Sequence, residues 1–156
     1  MSLLVDLLTN VRRQLPRRFG GTGNVQGWGS AVVLRCTNRT GSSMALGTLV
    51  KLANTWDDTR VTPTTTADDV ATLGVVVGYF DQTTDLLVEA AAASPSTVAV
   101  MVQGIAPVLA STTVTRGQYA YSTTTSGRAA SSTGRRAGAF GRFVGSGTVG
   151  ELVAVA

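Results

Sequence analysis

The sequence predicts an all-β protein: a sandwich or barrel of short strands, preceded by an N-terminal amphipathic arm, helical or extended. Three observations carry this. Short, valine-rich apolar segments follow one another from residue 31 to residue 155, and many short strands at close spacing indicate a sandwich or barrel. Turn-forming clusters separate them: Asn38-Arg39-Thr40-Gly41, Asp81-Gln82-Thr83-Thr84, Ser126-Gly127 and Gly145-Ser146-Gly147. Charged residues make up only 14% of the chain, against about 25% in ordinary globular proteins. Hydroxyls, small residues and backbone must therefore cover the surface.

The arm comprises residues 1–18. Leu4, Leu8, Val11 and Leu15 recur at helical spacing, flanked by Leu3 and Leu7. Ser2 is placed to cap the helix, and Pro16 stops it near Leu15. Arg12 and Arg13 suit the negative end of the helix dipole; Arg17 and Arg18 follow. Residues 19–30, FGGTGNVQGWGS, hold five glycines and read as a flexible connector, with Trp28 the large residue of its second half. Residues 31–156 form the β-rich body. The predicted strands are 31–37, 48–52, 74–80, 86–90, 97–103, 105–110, 118–122, 137–144 and 151–155, with residues 90–93 open to a helical turn ended before Pro95. An internal echo runs through the body. Ala45-Leu46-Gly47-Thr48-Leu49-Val50 precedes Gly74-Val75-Val76-Val77-Gly78, as Thr115-Arg116-Gly117-Gln118-Tyr119-Ala120 precedes Gly138-Ala139-Phe140-Gly141-Arg142. In each half a turn glycine launches a strand, a Thr/Ser-rich excursion follows, and a glycine-flanked apolar strand closes the unit. The pattern suggests a duplicated β-unit.

Composition removes much enzyme chemistry. The chain has no histidine, one cysteine (Cys36) and one lysine (Lys51). Ser-His-Asp and Cys-His mechanisms within the chain are excluded, as are histidine-containing and all-cysteine zinc sites and an intramolecular disulfide. Cys36, in an apolar strand, reads as a buried inert thiol. The acidic groups Asp57-Asp58, Asp68-Asp69 and Asp81/Asp85 lack the alternating ligands and central glycine of a calcium loop and read as solvated turn residues. Gly21-x-Gly23 is not followed by a phosphate-loop pattern, which rejects nucleotide binding. No catalytic, cofactor-binding or metal-binding residue is expected. No stretch reaches the roughly 18–20 apolar residues of a membrane span. The arginines follow the apolar run 1–8, the reverse of a secretory signal, so a reducing cytoplasm, or a particle assembled there, is the expected location. The net charge of +4 serves solubility or an anionic partner.

The candidate binding residues lie in the arm and connector: Leu3, Leu4, Leu7, Leu8, Val11, Arg12, Arg13, Arg17, Arg18 and Trp28. A purely electrostatic nucleic-acid arm would not need the aliphatic stripe. Burying that stripe and ordering its backbone nearly cancel in free energy, so the arm suits a segment that orders on a partner surface. Packing on its own barrel is the other arrangement open to it.

The order Gly47-Thr-Leu-Val-Lys-Leu, Leu73-Gly-Val-Val-Val-Gly, Val98-Ala-Val-Met-Val-Gln-Gly-Ile-Ala-Pro-Val-Leu, Val114-Thr-Arg-Gly-Gln-Tyr-Ala-Tyr, Ser126-Gly-Arg-Ala and Gly138-Ala-Phe-Gly-Arg-Phe-Val resembles the small β-rich head decoration (capsid cement) proteins of tailed bacteriophages. The resemblance covers residues 48–155; the arm matches no pattern of that family. It implies a compact β-barrel or β-tulip and a non-enzymatic virion protein, often a homotrimer, on the capsid exterior at local three-fold positions, assembled in the host cytoplasm. Its expected partner is the major capsid protein, whose neighbouring subunits it clamps. It needs no cofactor, small-molecule substrate, membrane or nucleic acid. The alternative is a tail- or surface-associated β module for host glycan recognition. That module would use the Thr/Ser-rich loops 54–69 and 122–136, where Trp56 and Tyr121 are the nearby aromatics.

Overall fold

The computed structural model describes residues 31–54 and 59–156. These residues are all-β, in eleven strands: β1 (Val32–Asn38), β2 (Leu49–Leu52), β3 (Arg60–Pro63), β4 (Thr72–Phe80), β5 (Leu87–Val88), β6 (Ser96–Gln103), β7 (Ala106–Leu109), β8 (Tyr119–Ser122), β9 (Ala129–Ser132), β10 (Gly141–Arg142) and β11 (Leu152–Val155). No helix occurs among the described residues. The arm and connector, and with them every candidate binding residue named above, lie outside the described residues, as does Trp56.

The first sheet runs β2-β3-β1-β6-β4, and β2 pairs back onto β4, closing a five-stranded barrel with β5 appended to β4. Strand alternation sorts its side chains. All five strands send residues into one cluster, which is the barrel interior: Cys36, Val50, Val61, Val76, Val98 and Val100, with Met44 and Ala92 closing one end. The outward positions Val33, Leu49, Val75, Val77, Ala99 and Met101 are also buried, in a second cluster.

That second cluster belongs to a second barrel. β7 pairs with β11, and β8 with both β9 and β10. Bridges Ala110↔Ala129 and Phe143↔Val155 close the ring. Each pairing matches one in the first barrel in partner and in sense. Both barrels contain one parallel contact, β1 with β3 and Ala110 with Ala129; the other ring contacts are antiparallel. The loops repeat as well. The N–H of Thr48 donates to Ala45 O at 3.2 Å, and that of Gln118 to Thr115 O at 3.2 Å. Gly47 and Gly117 hold φ of 81° and 83°, the left-handed region that favours glycine. Met44 bridges Ala92 as Val114 bridges Gly147. The body is therefore a duplicated five-stranded barrel, and the Gly47 and Gly117 motifs of the sequence echo occupy equivalent places.

Four features differ from the sequence reading. β3 and β9, one in each repeat, fall in the stretches read as loops. Their sequences, Arg-Val-Thr-Pro and Ala-Ala-Ser-Ser, bury a single apolar side chain fully in each, Val61 and Ala129. The predicted strand 137–144 shrinks to β10 because Gly138, at φ 84°, turns the chain against Asp68. The segment 86–90 keeps two strand residues. Residues 90–93 form no helical turn, since Ala92 pairs with Met44.

Candidate interaction surfaces

Buried Asn38, Thr48 and Ser122 bond to the scaffold, while the buried Thr64 hydroxyl has no partner among the described residues. Asn38 is fully buried inside the first barrel. Its amide donates to the carbonyls of Ser42, Ala92 and Ala93 at 3.0–3.1 Å, and its Oδ1 accepts from the N–H and hydroxyl of Thr40. Burial pushes the Cys36 thiol up to about 11, so it stays protonated and unreactive at neutral pH. Among the described residues no group of three or more acidic or cysteine side chains is placed to hold a metal ion.

Asp68 and Asp69 do more than decorate a turn. Asp69 accepts from Lys51 Nζ at 3.0 Å and from the Ala71 N–H, and its own N–H donates to Ser122 Oγ. The Lys51 hydrogen bond, seconded by the Ala71 N–H, holds its carboxyl below the usual aspartate range. Asp68, at φ 52°, pairs with Arg136 at 3.3 Å, and its N–H donates to Ser122 O. The backbone N–H groups of both residues, on Ser122, and the Asp68 carboxylate, on Arg136, thus clasp the first barrel to the second, while the Asp69 carboxylate ties the clasp to Lys51 of the first. Asp81 fits the turn reading: its carboxylate accepts from the N–H groups of Thr84 and Thr83, which lowers its pKa. Asp85 forms an ion pair with Arg35. Asp57 and Asp58 lie outside the described residues.

Tyr121 is not a glycan platform. It is 1% exposed, its hydroxyl donates to Gly134 O and accepts the Arg136 N–H, and the Arg136 guanidinium covers its ring.

Charge divides unevenly. The second barrel carries Arg116, Arg128, Arg135, Arg136 and Arg142 against one acid, Glu151. The described part of the first barrel carries four basic and five acidic residues. On β10 and β8, Arg142 sits directly across from Tyr119. Its guanidinium lies 4.1 Å from the centre of the Tyr119 ring and bonds the phenol oxygen, a cation–π arrangement that fixes a long side chain in place. Arg135 joins them around an open cleft of about 240 Å³, lined also by Ala139, Phe140, Gly141 and Ala156. Arg135 and Arg142 are exposed, and neither is paired with a carboxylate of the described residues. The sequence reading placed the binding arginines in the arm and did not single out this pair.

No protein-family model matches the chain, and no curated protein matches it. Among solved structures the chain is similar to the N base of head fiber gp8.5 in bacteriophage phi29. The TM-score is 0.53 at 14% identity, over 80% of this chain and 92% of that one. The likeness is one of fold, and its extent exceeds either barrel alone: it is the fold of the double barrel that the two chains share.

Proposed function

We propose that this chain is a non-enzymatic structural protein of a tailed-phage virion. It attaches to the outer surface of the assembled capsid as a homotrimer and stabilises the shell by clamping neighbouring major capsid subunits. The observation that carries this reading is the fold shared with nearly the whole base of a phage head fiber. The commitment of the Asn38, Lys51 and Tyr121 side chains to the scaffold agrees with it. The physical logic is multivalency: one arm contributes little, whereas three arms on one trimer act at high effective concentration. A protein that binds only the assembled shell also stabilises that shell by mass action. Burial of Tyr121 weakens the glycan-binding alternative.

The test is composition and attachment. Purified virions are expected to contain the chain in a fixed, near-stoichiometric ratio to the major capsid protein, and its absence from virions rejects the reading. Deletion of residues 1–18 is expected to leave a folded body, by circular dichroism, that no longer binds shells. Full shell binding by the truncated chain would remove the arm from the mechanism.

A further inference from the structure

The duplication makes one face of the second barrel interpretable. On the first barrel, the outward residues Val33, Leu49, Val75, Val77, Ala99 and Met101 are at most 4% exposed, because the second barrel docks there. The junction is close. The N–H of Leu109 donates to Gly47 O and that of Leu49 to Gly127 O, and Gly74, Val75 and Met101 share a seam with Phe140, Val155 and Ala156. The pairing registers identify the equivalent face of the second barrel. Leu49 pairs with Val75 as Tyr119 pairs with Arg142, and Val50 with Gly74 as Ala120 with Gly141. Gly74 and Gly141 are matched even in what crowds them: a Cβ at either would strike a neighbouring backbone oxygen, of Met101 or of Ala156, and a valine Cγ1, of Val100 or of Val155.

On the second barrel this face is open. Val144 and Ile105, which take the places of Val77 and Val33, are 41% and 39% exposed. Arg142 and Tyr119 stand where Val75 and Leu49 are buried, with Arg135 across the cleft. The same scaffold surface is covered in one copy and uncovered in the other, and its chemistry has changed from aliphatic to cationic and aromatic with an aliphatic margin.

We propose that this face of the second barrel is a docking surface for an acidic protein surface, whose carboxylates meet Arg135 and Arg142 and whose apolar side chains meet Val144 and Ile105. Guanidinium groups without carboxylate partners among the described residues, one of them lying over a tyrosine ring, match carboxylates in geometry and charge. The aliphatic margin favours a protein over a polyphosphate. The inference rests on the virion reading in one respect, that the acidic partner is the capsid shell.

The experiment uses the full chain in two charge-reversed forms: Arg135→Glu/Arg142→Glu, and the control Arg39→Glu/Arg128→Glu with the same change in net charge. Matching far-ultraviolet spectra and melting temperatures establish that both fold. Binding is measured to shells lacking the chain, to poly-glutamate and to duplex DNA. The expected result is a loss of about tenfold or more for the first variant on shells and poly-glutamate, against less than twofold for the control. Equal losses in both variants would reduce the effect to net charge and overturn the proposal, as would unchanged shell binding by the first variant. Tighter binding to DNA than to poly-glutamate through the same two arginines would overturn it too. If the wild-type chain ignores shells yet binds poly-glutamate through Arg135 and Arg142, the virion reading fails and the acidic docking surface stands.

Discussion

The two barrels share a topology strand for strand and fill it differently. The first packs its interior with side chains of middling size: Leu34, Cys36, Val50, Val61, Val76, Val98 and Val100, plus the hydrogen-bonded Asn38. In the second, alanine stands at the positions equivalent to Leu34, Asn38, Val50 and Val61, namely Ala106, Ala110, Ala120 and Ala129, while Phe143 replaces Val76. The Phe143 ring offsets only part of the volume given up at the four alanine positions. The same ring of five strands thus closes around interiors that differ in both volume and distribution.

The largest expected effect breaks this comparison directly. Phe143→Ala leaves the second barrel with an interior built mostly from alanine and valine, and it is expected to cost about 3–5 kcal/mol. Val76→Ala, at the equivalent position, removes far less volume and is expected to cost about 1.5–3 kcal/mol. Urea denaturation of both variants measures the difference. Equal costs would show that the second barrel relaxes around the missing ring, and that Phe143 does not support its interior.

A second comparison isolates the junction between the barrels. Gly47 and Gly117 occupy the same turn at nearly the same φ, so alanine at either incurs a similar backbone penalty of about 1–2 kcal/mol. Their surroundings differ. A Cβ at Gly47 would lie 2.4 Å from Leu152 Cδ2 and 2.9 Å from the Leu109 nitrogen, whereas a Cβ at Gly117 meets nothing within 4 Å. Gly47→Ala is therefore expected to destabilise by about 1–3 kcal/mol more than Gly117→Ala, through overpacking against the second barrel. The excess, read from paired denaturation curves, reports the rigidity of the docking; no excess would mean that the barrels separate easily.

The legible part of the fold was its repetition and its apolar strands. Gly47-Thr48-Leu49 and Gly117-Gln118-Tyr119 show in the sequence because a left-handed turn demands glycine and the strand beyond it must be apolar inside. β3 and β9 did not show. Each leans on a single buried apolar side chain, and backbone pairing to two neighbours lets Thr, Pro and Ser fill the rest. The cationic face was illegible for another reason: Arg142 and Tyr119 meet through strand register, and neither stands in a basic cluster along the chain. Laying the two echoes over one another finds only half of it: Tyr119 falls on Leu49, but the second echo sets Gly74 on Gly138 and Arg142 on Gly78, three residues out of the register that places Gly74 on Gly141 and Val75 on Arg142. The clasp at Asp69 was hidden in the same way, because Lys51, Asp69 and Ser122 come from three separate segments.

The smallest expected effect separates the barrels by pH. Lys51 and Tyr121 are equivalent residues on β2 and β8, and each anchors a loop, one by an ion pair to Asp69 and the other by a neutral hydroxyl on Gly134 and Arg136. The Asp69 carboxyl has a folded-state pKa below its unfolded one, so its contribution is fully present above the unfolded aspartate range near pH 4 and is lost as pH falls through the lower folded value. Asp69→Asn is therefore expected to cost about 1 kcal/mol or less at pH 7 and to flatten the loss of stability between pH 5 and pH 3 relative to wild type. Tyr121→Phe, which removes a hydroxyl whose bonds do not depend on a carboxylate, is expected to cost about 0.5–1.5 kcal/mol equally at both pH values. Thermal melts across that range check the pair. A Tyr121→Phe penalty that changed across that range would overturn the assignment of its anchor to hydrogen bonds of an uncharged hydroxyl, and the contrast between the two loops would fail.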